Sequence, residues 1–302
     1  MEEEQFLLVL PSNSSMRHFP DNTTSSFITE LPHSIVLHGQ WEVATTKIQF
    51  PCTFLHIRHK ENVIRFIDVK PDEGTKGAFT AKEVAFPNGI YNDIYELIDA
   101  INTACKEAES HFYFELQKAS GGEVMISINC DEKCQMLHHI NFSDNLLRML
   151  GFSSAISANN YPLYPKLAIR KPNSNETEEK TFLTHGFNKE TGKRLADLYW
   201  STEPYSLWRG IPDKMFVYCD ICEPYIIGDV GTPLLGIVPV EIRNHNYAFG
   251  ANLVKHFSFP NYIPLRRTNF RTIEIDIRDH LGKKIPFEFG TLTVTLHFKR
   301  KQ

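Results

Sequence analysis

Strict alternation of apolar and polar residues at both ends of the chain limits its possible folds more than any other feature. Near the C-terminus, Leu292, Val294, Leu296 and Phe298 alternate with Thr291, Thr293, Thr295 and His297. Just upstream, Ile273, Ile275 and Ile277 alternate with Thr272, Glu274, Asp276 and Arg278. Successive side chains on a strand point to opposite faces, so each segment predicts a strand with one face for a core and one for water. Gln5–Leu10, Ser25–Leu31, Trp41–Phe50, Lys214–Cys222, Leu234–Ile242 and Leu253–Phe259 bring the set to about eight. The 22 Phe and 11 Tyr suit such half-buried pleated surfaces.

The middle of the chain changes period. Ile94, Leu97, Ile98, Ile101, Cys105 and Ala108 recur at helical spacing, and Asp93 with Glu96 forms a capping box at the start. Phe112–Gln117 and Glu123–Asn129 flank the turn-forming "KASGGE", which predicts a hairpin. Ser143 to Leu150 predicts a short helix stopped by Gly151. "RKPNSNETEEKT", from Arg170 to Thr181, has no apolar periodicity and is expected to be a mobile loop. The chain therefore divides into an all-β unit built from 1–60 and 210–302, interrupted by an α+β insertion over 61–209. Eight strands joined by long, Pro-containing connections fit a single two-sheet jelly roll better than an up-and-down barrel. "LPSNSSMRHFPDNTTSSFITELP", Leu10 to Pro32, is one such connection; it holds no glycine, so it is not a phosphate-cradling loop.

Charge and motifs narrow the function. The formal net charge is -4, which disfavours a general nucleic-acid binder. Arg266-Arg267 with Arg271, and Lys299-Arg300-Lys301, read as solvated rims. The N-terminus is acidic, and the apolar run Phe6 to Leu10 is too short for a signal h-region or a membrane span. The Asn-x-Ser/Thr matches at Asn13, Asn22, Asn141 and Asn175 are then composition, and the six cysteines are expected as free thiols of a reducing compartment.

Cys219-Asp-Ile-Cys222 is half of a zinc motif, but it lies in an expected strand, where residues three apart point to opposite faces. Cys130 and Cys134 with His138 and His139 cluster within ten residues at a spacing that matches no established finger. There is no His-x-His pair of the cupin kind and no Gly-x-Ser-x-Gly. No catalytic residue, metal ligand or cofactor site is assigned. Trp200, Tyr205 and Trp208, in "LYWSTEPYSLWRG", are the candidate contact residues, together with Arg266 and Arg267. The aromatics are either a hinge packed between the two modules or an exposed contact for another subunit, since aromatics and Arg are enriched at interfaces.

The stretch "FLLVLPSNSSMRHFPDNTTSSFITELPHSIVLHGQWEVATTKIQFP" resembles the N-terminal segment of the penton, or minor capsid, proteins of Polinton/Maverick-type elements and related viruses. "FPNGIYNDIYELIDAIN", "FSDNLLRMLGF", "FVYCDICEPYIIGD" and "IEIDIRDHLGKKIPFEFGTLTVTLHFKR" look similar to later pieces of those proteins, in the same order. The resemblance implies a structural virion protein: a single jelly roll forming a homopentamer at the fivefold vertices of an icosahedral capsid. It implies a partner in the double jelly-roll major capsid protein, with the insertion as an outward tower. A ring of identical copies needs a closing, heterologous contact, expected to bury well over ~1,000 Å². Two other readings stay open: a receptor- or glycan-binding jelly roll, and a cupin-like enzyme with a metal near Cys130, Cys134 and His138.

Overall fold

The computed structural model describes the chain except at residues 1–4, 70–80, 119–120, 131–136, 153–165, 171–176, 182, 189–192, 195–200, 202, 242–248 and 302. It is mainly β, with several antiparallel sheets. The chain opens with β1 (Gln5–Pro11), β2 (Ser26–Val36) and β3 (Trp41–Pro51). Next come β4 (Val63–Val69), β5 (Lys82–Ala85), helix α1 (Ile94–Glu107), β6 (Phe112–Lys118), β7 (Val124–Cys130), β8 (Leu137–Asn141) and helix α2 (Asp144–Leu150). Then follow β9 (Lys166–Arg170), β10 (Thr177–Thr181), β11 (Leu183–Asn188) and β12 (Lys193–Arg194). The last group is β13 (Lys214–Cys219), β14 (Tyr225–Ile227), β15 (Val230–Thr232), β16 (Leu234–Pro239), β17 (Asn252–His256), β18 (Ile263–Pro264), β19 (Asn269–Arg278) and β20 (Thr293–Arg300). Contacts divide the chain into two compact units, Met1–Phe54 with Pro212–Gln302, and Leu55–Ile211.

The first unit contains two four-stranded antiparallel runs, β1-β20-β3-β17 and β16-β13-β19-β2, with β18 added alongside β3. Each of the eight segments expected to be strands overlaps one of these eight strands. The alternation works as the residues dictate: Val294, Leu296 and Phe298 of β20 are fully buried, as are Ile273, Ile275 and Ile277 of β19. Phe298 stacks on Phe6 within the first run, with ring centres 4.7 Å apart. It also meets Phe270 of the second run at 6.0 Å, so the buried faces of the two runs share one core.

The polar connection between β1 and β2 is held by its own side chains. Asn22 Nδ2 donates to the carbonyls of Ser14 and Ile28 at 3.1 and 2.9 Å, and its Oδ1 accepts from the Ile28 amide at 2.9 Å. The Ser15 hydroxyl accepts from the Glu30 amide at 2.9 Å, and that of Ser12 from the Leu292 amide at 3.0 Å. Ser, Asn and Thr concentrate here because they supply the partners that a chain leaving a sheet has lost. Replacing Asn22 with Ala strands three main-chain groups at once. The expected cost is about 2 kcal/mol in a urea titration, and a loss indistinguishable from zero would show that water replaces the amide fully.

In the second unit, the sheet order is β12-β11-β8-β4-β5, with β6 and β7 forming a separate hairpin and β9 paired to β10. Helix α1 begins as its sequence dictates: the Asp93 carboxylate accepts from the Glu96 amide at 2.9 Å, and Glu96 reaches back to the Asn92 amide at 2.7 Å. Its buried face (Ile94, Leu97, Ile98, Ile101, Ala104 and Cys105) joins a core with Phe66, Phe114, Leu146 and Phe152.

Two sequence expectations need correction. The stretch Arg170–Thr181 is not a loop throughout, because Thr177–Thr181 is a strand running antiparallel to Lys166–Arg170, with Thr177 opposite Arg170. A strand pair is joined by main-chain hydrogen bonds, which apolar periodicity does not report. The strand expected over Lys214–Cys222 ends at Cys219, since the Cys222 amide turns back to the Cys219 carbonyl at 3.2 Å.

Candidate functional site

The corner after β13 is where the first unit gathers polar and apolar side chains at one place. Cys219 closes the strand and Asp220-Ile221 makes the turn. The Asp220 carboxylate does two jobs: Oδ1 accepts the Glu274 amide of β19 at 2.8 Å, and Oδ2 takes the Arg267 guanidinium. A second stretch is stapled to the same turn through main-chain bonds. Glu223 donates to the Pro264 carbonyl and Arg266 to the Ile221 carbonyl, both at 2.9 Å. Arg266 and Arg267 are thus carried, exposed, on a segment pinned by the turn, which is how the structure places the two basic candidates. Arg271 lies further along, paired with Glu30 at 2.9 Å.

Cys219 and Cys222 are 1 % and 0 % exposed, and their thiols are hydrogen-bonded to each other. The expectation that they point to opposite faces fails, because it assumed a continuous strand. A turn brings residues three apart onto the same side. The bond to Cys222, reinforced by burial, holds the Cys219 thiol well above its ordinary pKa. Among the described residues, no group of three or more His, Cys, Asp or Glu side chains converges as a metal site. Cys134 lies outside the described residues. His138 Nδ1 is 2.7 Å from the Asp68 carboxylate, within the core of the second unit.

Beyond the turn, β14 and β15 form a short hairpin that puts Ile226 into water at 80 % exposure, with Val230 beside it at 56 %. Next to this hairpin is a cavity of about 330 Å³ lined by Val217, Tyr225, Leu234, Ile237, Val238 and Phe259. Phe259 is 96 % exposed, so a full phenyl ring stands at its mouth. Apolar surface gathered this way marks an interaction site more often than isolated exposed residues do. None of these side chains was singled out from sequence. The turn residues Gly228-Asp229 announce the hairpin, but no sequence pattern announces that Tyr225, at its base, shares a cavity with Phe259.

The aromatic candidates belong to the other unit. Tyr205 packs against the core of Leu55–Ile211. Trp208 sits on a short 3-10 turn, Leu207–Gly210, and is 38 % exposed, its ring edge-on to His56 at 5.7 Å. Burial holds His56 below its ordinary pKa, and its Nδ1 accepts from the Tyr91 amide at 3.1 Å. Trp200 lies outside the described residues. Tyr205 and Trp208 thus share one unit, whereas Arg266 and Arg267 stand in the other.

Comparison with known proteins finds no matching family model and no matching curated protein. Among solved structures, the selenomethionine-labelled penton protein of mavirus aligns over 98% of this chain and 99% of its own, at 12% identity and a TM-score of 0.45.

Proposed function

We propose that the first unit is an eight-stranded jelly roll and that the protein is a structural virion component, a homopentameric capsomer at the fivefold vertices of an icosahedral capsid. The observation that carries this reading is the strand order. The two runs β1-β20-β3-β17 and β16-β13-β19-β2 draw their members from both ends of the chain. Consecutive strands cross between the runs at every step but one, β13 and β16, which pair as neighbours within the second run, as two interlocked Greek keys require. The ordered set of segments resembling penton proteins supports the same reading. The chain leaves the sandwich after β3 and returns at β13, so the 61–209 insertion interrupts it at a single point and supplies a surface free to vary. Assembly, not catalysis, is then the protein's work: self-association into a ring, and docking against a major capsid protein of double jelly-roll type.

The test is the solution mass by light scattering, with negative-stain images of the main peak. A fivefold ring, formed alone or on mixing with the major capsid protein, is the expected result. A stable trimer, or a monomer that stays monomeric with that partner present, overturns the proposal. Specific retention on a glycan array by a non-ring species would instead favour a glycan-binding jelly roll.

A further inference from the structure

The corner that carries Arg266 and Arg267 is built on two thiols, and no part of the assembly reading uses them. Cys219 and Cys222 occupy the first and last positions of a turn closed by the Cys222 amide on the Cys219 carbonyl, at 3.2 Å. Such a turn brings its end Cα atoms within about 7 Å, and a disulfide spans about 4.4 to 6.8 Å between Cα atoms. Both thiols are buried in this corner, at 1 % and 0 % exposure. No large backbone movement separates the dithiol from the disulfide.

We propose that Cys219 and Cys222 are a redox-responsive modification site: a small-molecule disulfide of the glutathione class oxidises them to an intramolecular disulfide that locks this corner. The reaction balances by exchange. One cysteine loses its proton, and its sulfur attacks the S–S bond of the small disulfide, expelling one thiolate and leaving a mixed disulfide. The second cysteine then loses its proton and attacks the protein sulfur of that mixed disulfide, expelling the other thiolate. Two protein thiols lose two electrons, the small disulfide gains them, and the two protons end on the two small thiols.

Both sulfurs are shielded when the corner is closed, so opening of the turn gates the chemistry. What the bond changes follows from the staples described above. The Glu223 amide, the Ile221 carbonyl and the Asp220 carboxylate all hang on this turn. Oxidation therefore fixes the segment that presents Arg266 and Arg267, and reduction returns its freedom to open. The proposal does not depend on the vertex reading, because it concerns the chemistry of a single chain.

The experiment equilibrates the full chain in glutathione buffers of graded oxidised-to-reduced ratio, quenches with acid, alkylates the remaining thiols and maps peptides by mass. The expected result is loss of two alkylatable thiols, with Cys219 and Cys222 recovered as one linked peptide, while Cys52, Cys105 and Cys130 still take the alkylating group. Hydrogen exchange at 219–223 and 264–267 should slow in the oxidised form. Cys219 and Cys222 both alkylated at every ratio would overturn the proposal, as would a glutathione adduct on either that never resolves. Unchanged exchange overturns the locking of the corner. Cys222→Ser should trap the mixed disulfide at Cys219; if that variant does not fold, the peptide map of the unaltered chain still decides.

Discussion

Between pH 7.5 and pH 5 the second unit is expected to lose about 2 kcal/mol of stability through His139 alone. The side chain lies on β8, 3 % exposed, and its pKa is pushed down to about 4 by burial first and by the adjacent His138 second. The unfolded chain restores an ordinary value near 6.5. From pH 6.5 down to 4 the unfolded state therefore binds the proton that the folded state refuses. The stabilising difference is fully present above pH 6.5, shrinks as pH falls, and is exhausted once pH passes below 4.

Burial sets the sign, and the adjacent His138 reinforces it. His138 Nδ1 is 2.7 Å from the Asp68 carboxylate, which also faces Lys82 at 3.7 Å. The His111 ring is 6.4 Å from that of His138, and His185 of β11 stands opposite His138 in the register. The Asp68 carboxylate bonds His138. His56 is lowered in the same direction by burial, so it adds to the slope. The check is hydrogen exchange of the 137–141 peptide across this pH range for the unaltered chain and for His139→Gln. The variant should lose about 2 kcal/mol less between the two pH values. Parallel curves for the two proteins would show that the acid sensitivity arises elsewhere.

How much of this was legible in advance follows from what periodicity reports. Alternation marks a strand with one buried face, and it located β19 and β20 because Val294 to Phe298 and Ile273 to Ile277 bury one face each. Helical spacing with Asp93 and Glu96 located α1 for the same reason. Thr177–Thr181 escaped because its pairing with β9 rests on the main chain. Cys219 and Cys222 were misplaced because the apolar run continues through a turn; Asp220, a turn-forming residue inside that run, was the available signal. Phe259, Tyr225 and Ile237 were illegible in a stronger sense. A lone exposed aromatic has no pattern, and their grouping around one cavity comes from strands distant in sequence. The basic pair Arg266-Arg267 was visible as composition, but its attachment to Asp220 was not.

Gly151→Ala is expected to be the most damaging single-methyl change in the second unit. The residue follows α2 at φ +82, and its geometry closes the helix. Its amide returns to the Arg148 carbonyl at 3.2 Å, and the Phe152 amide to the Leu147 carbonyl at 2.9 Å, the pair of bonds that defines a Schellman end. Phe152 is then delivered into the core at 1 % exposure, against Phe142. An alanine there costs roughly 1 to 2 kcal/mol for the left-handed conformation alone. The second cost is steric. A Cβ at this position would collide with the Glu203 carbonyl oxygen and lie 3.1 Å from Ser201 Cβ. Both obstacles belong to a stretch fixed by its own bonds, Glu203 donating to the Gly151 carbonyl at 3.2 Å and Ser201 to that of Ile126 at 2.8 Å. Neither can yield without moving main chain, so the loss should exceed the conformational cost and reach about 3 kcal/mol or more. Gly122→Ala is the control: it also has positive φ, at +87, but nothing lies within 4 Å of the added methyl, so only the conformational cost remains. Urea unfolding of the two variants separates the two costs, and equal losses would mean that the stretch around Glu203 is soft enough to give way.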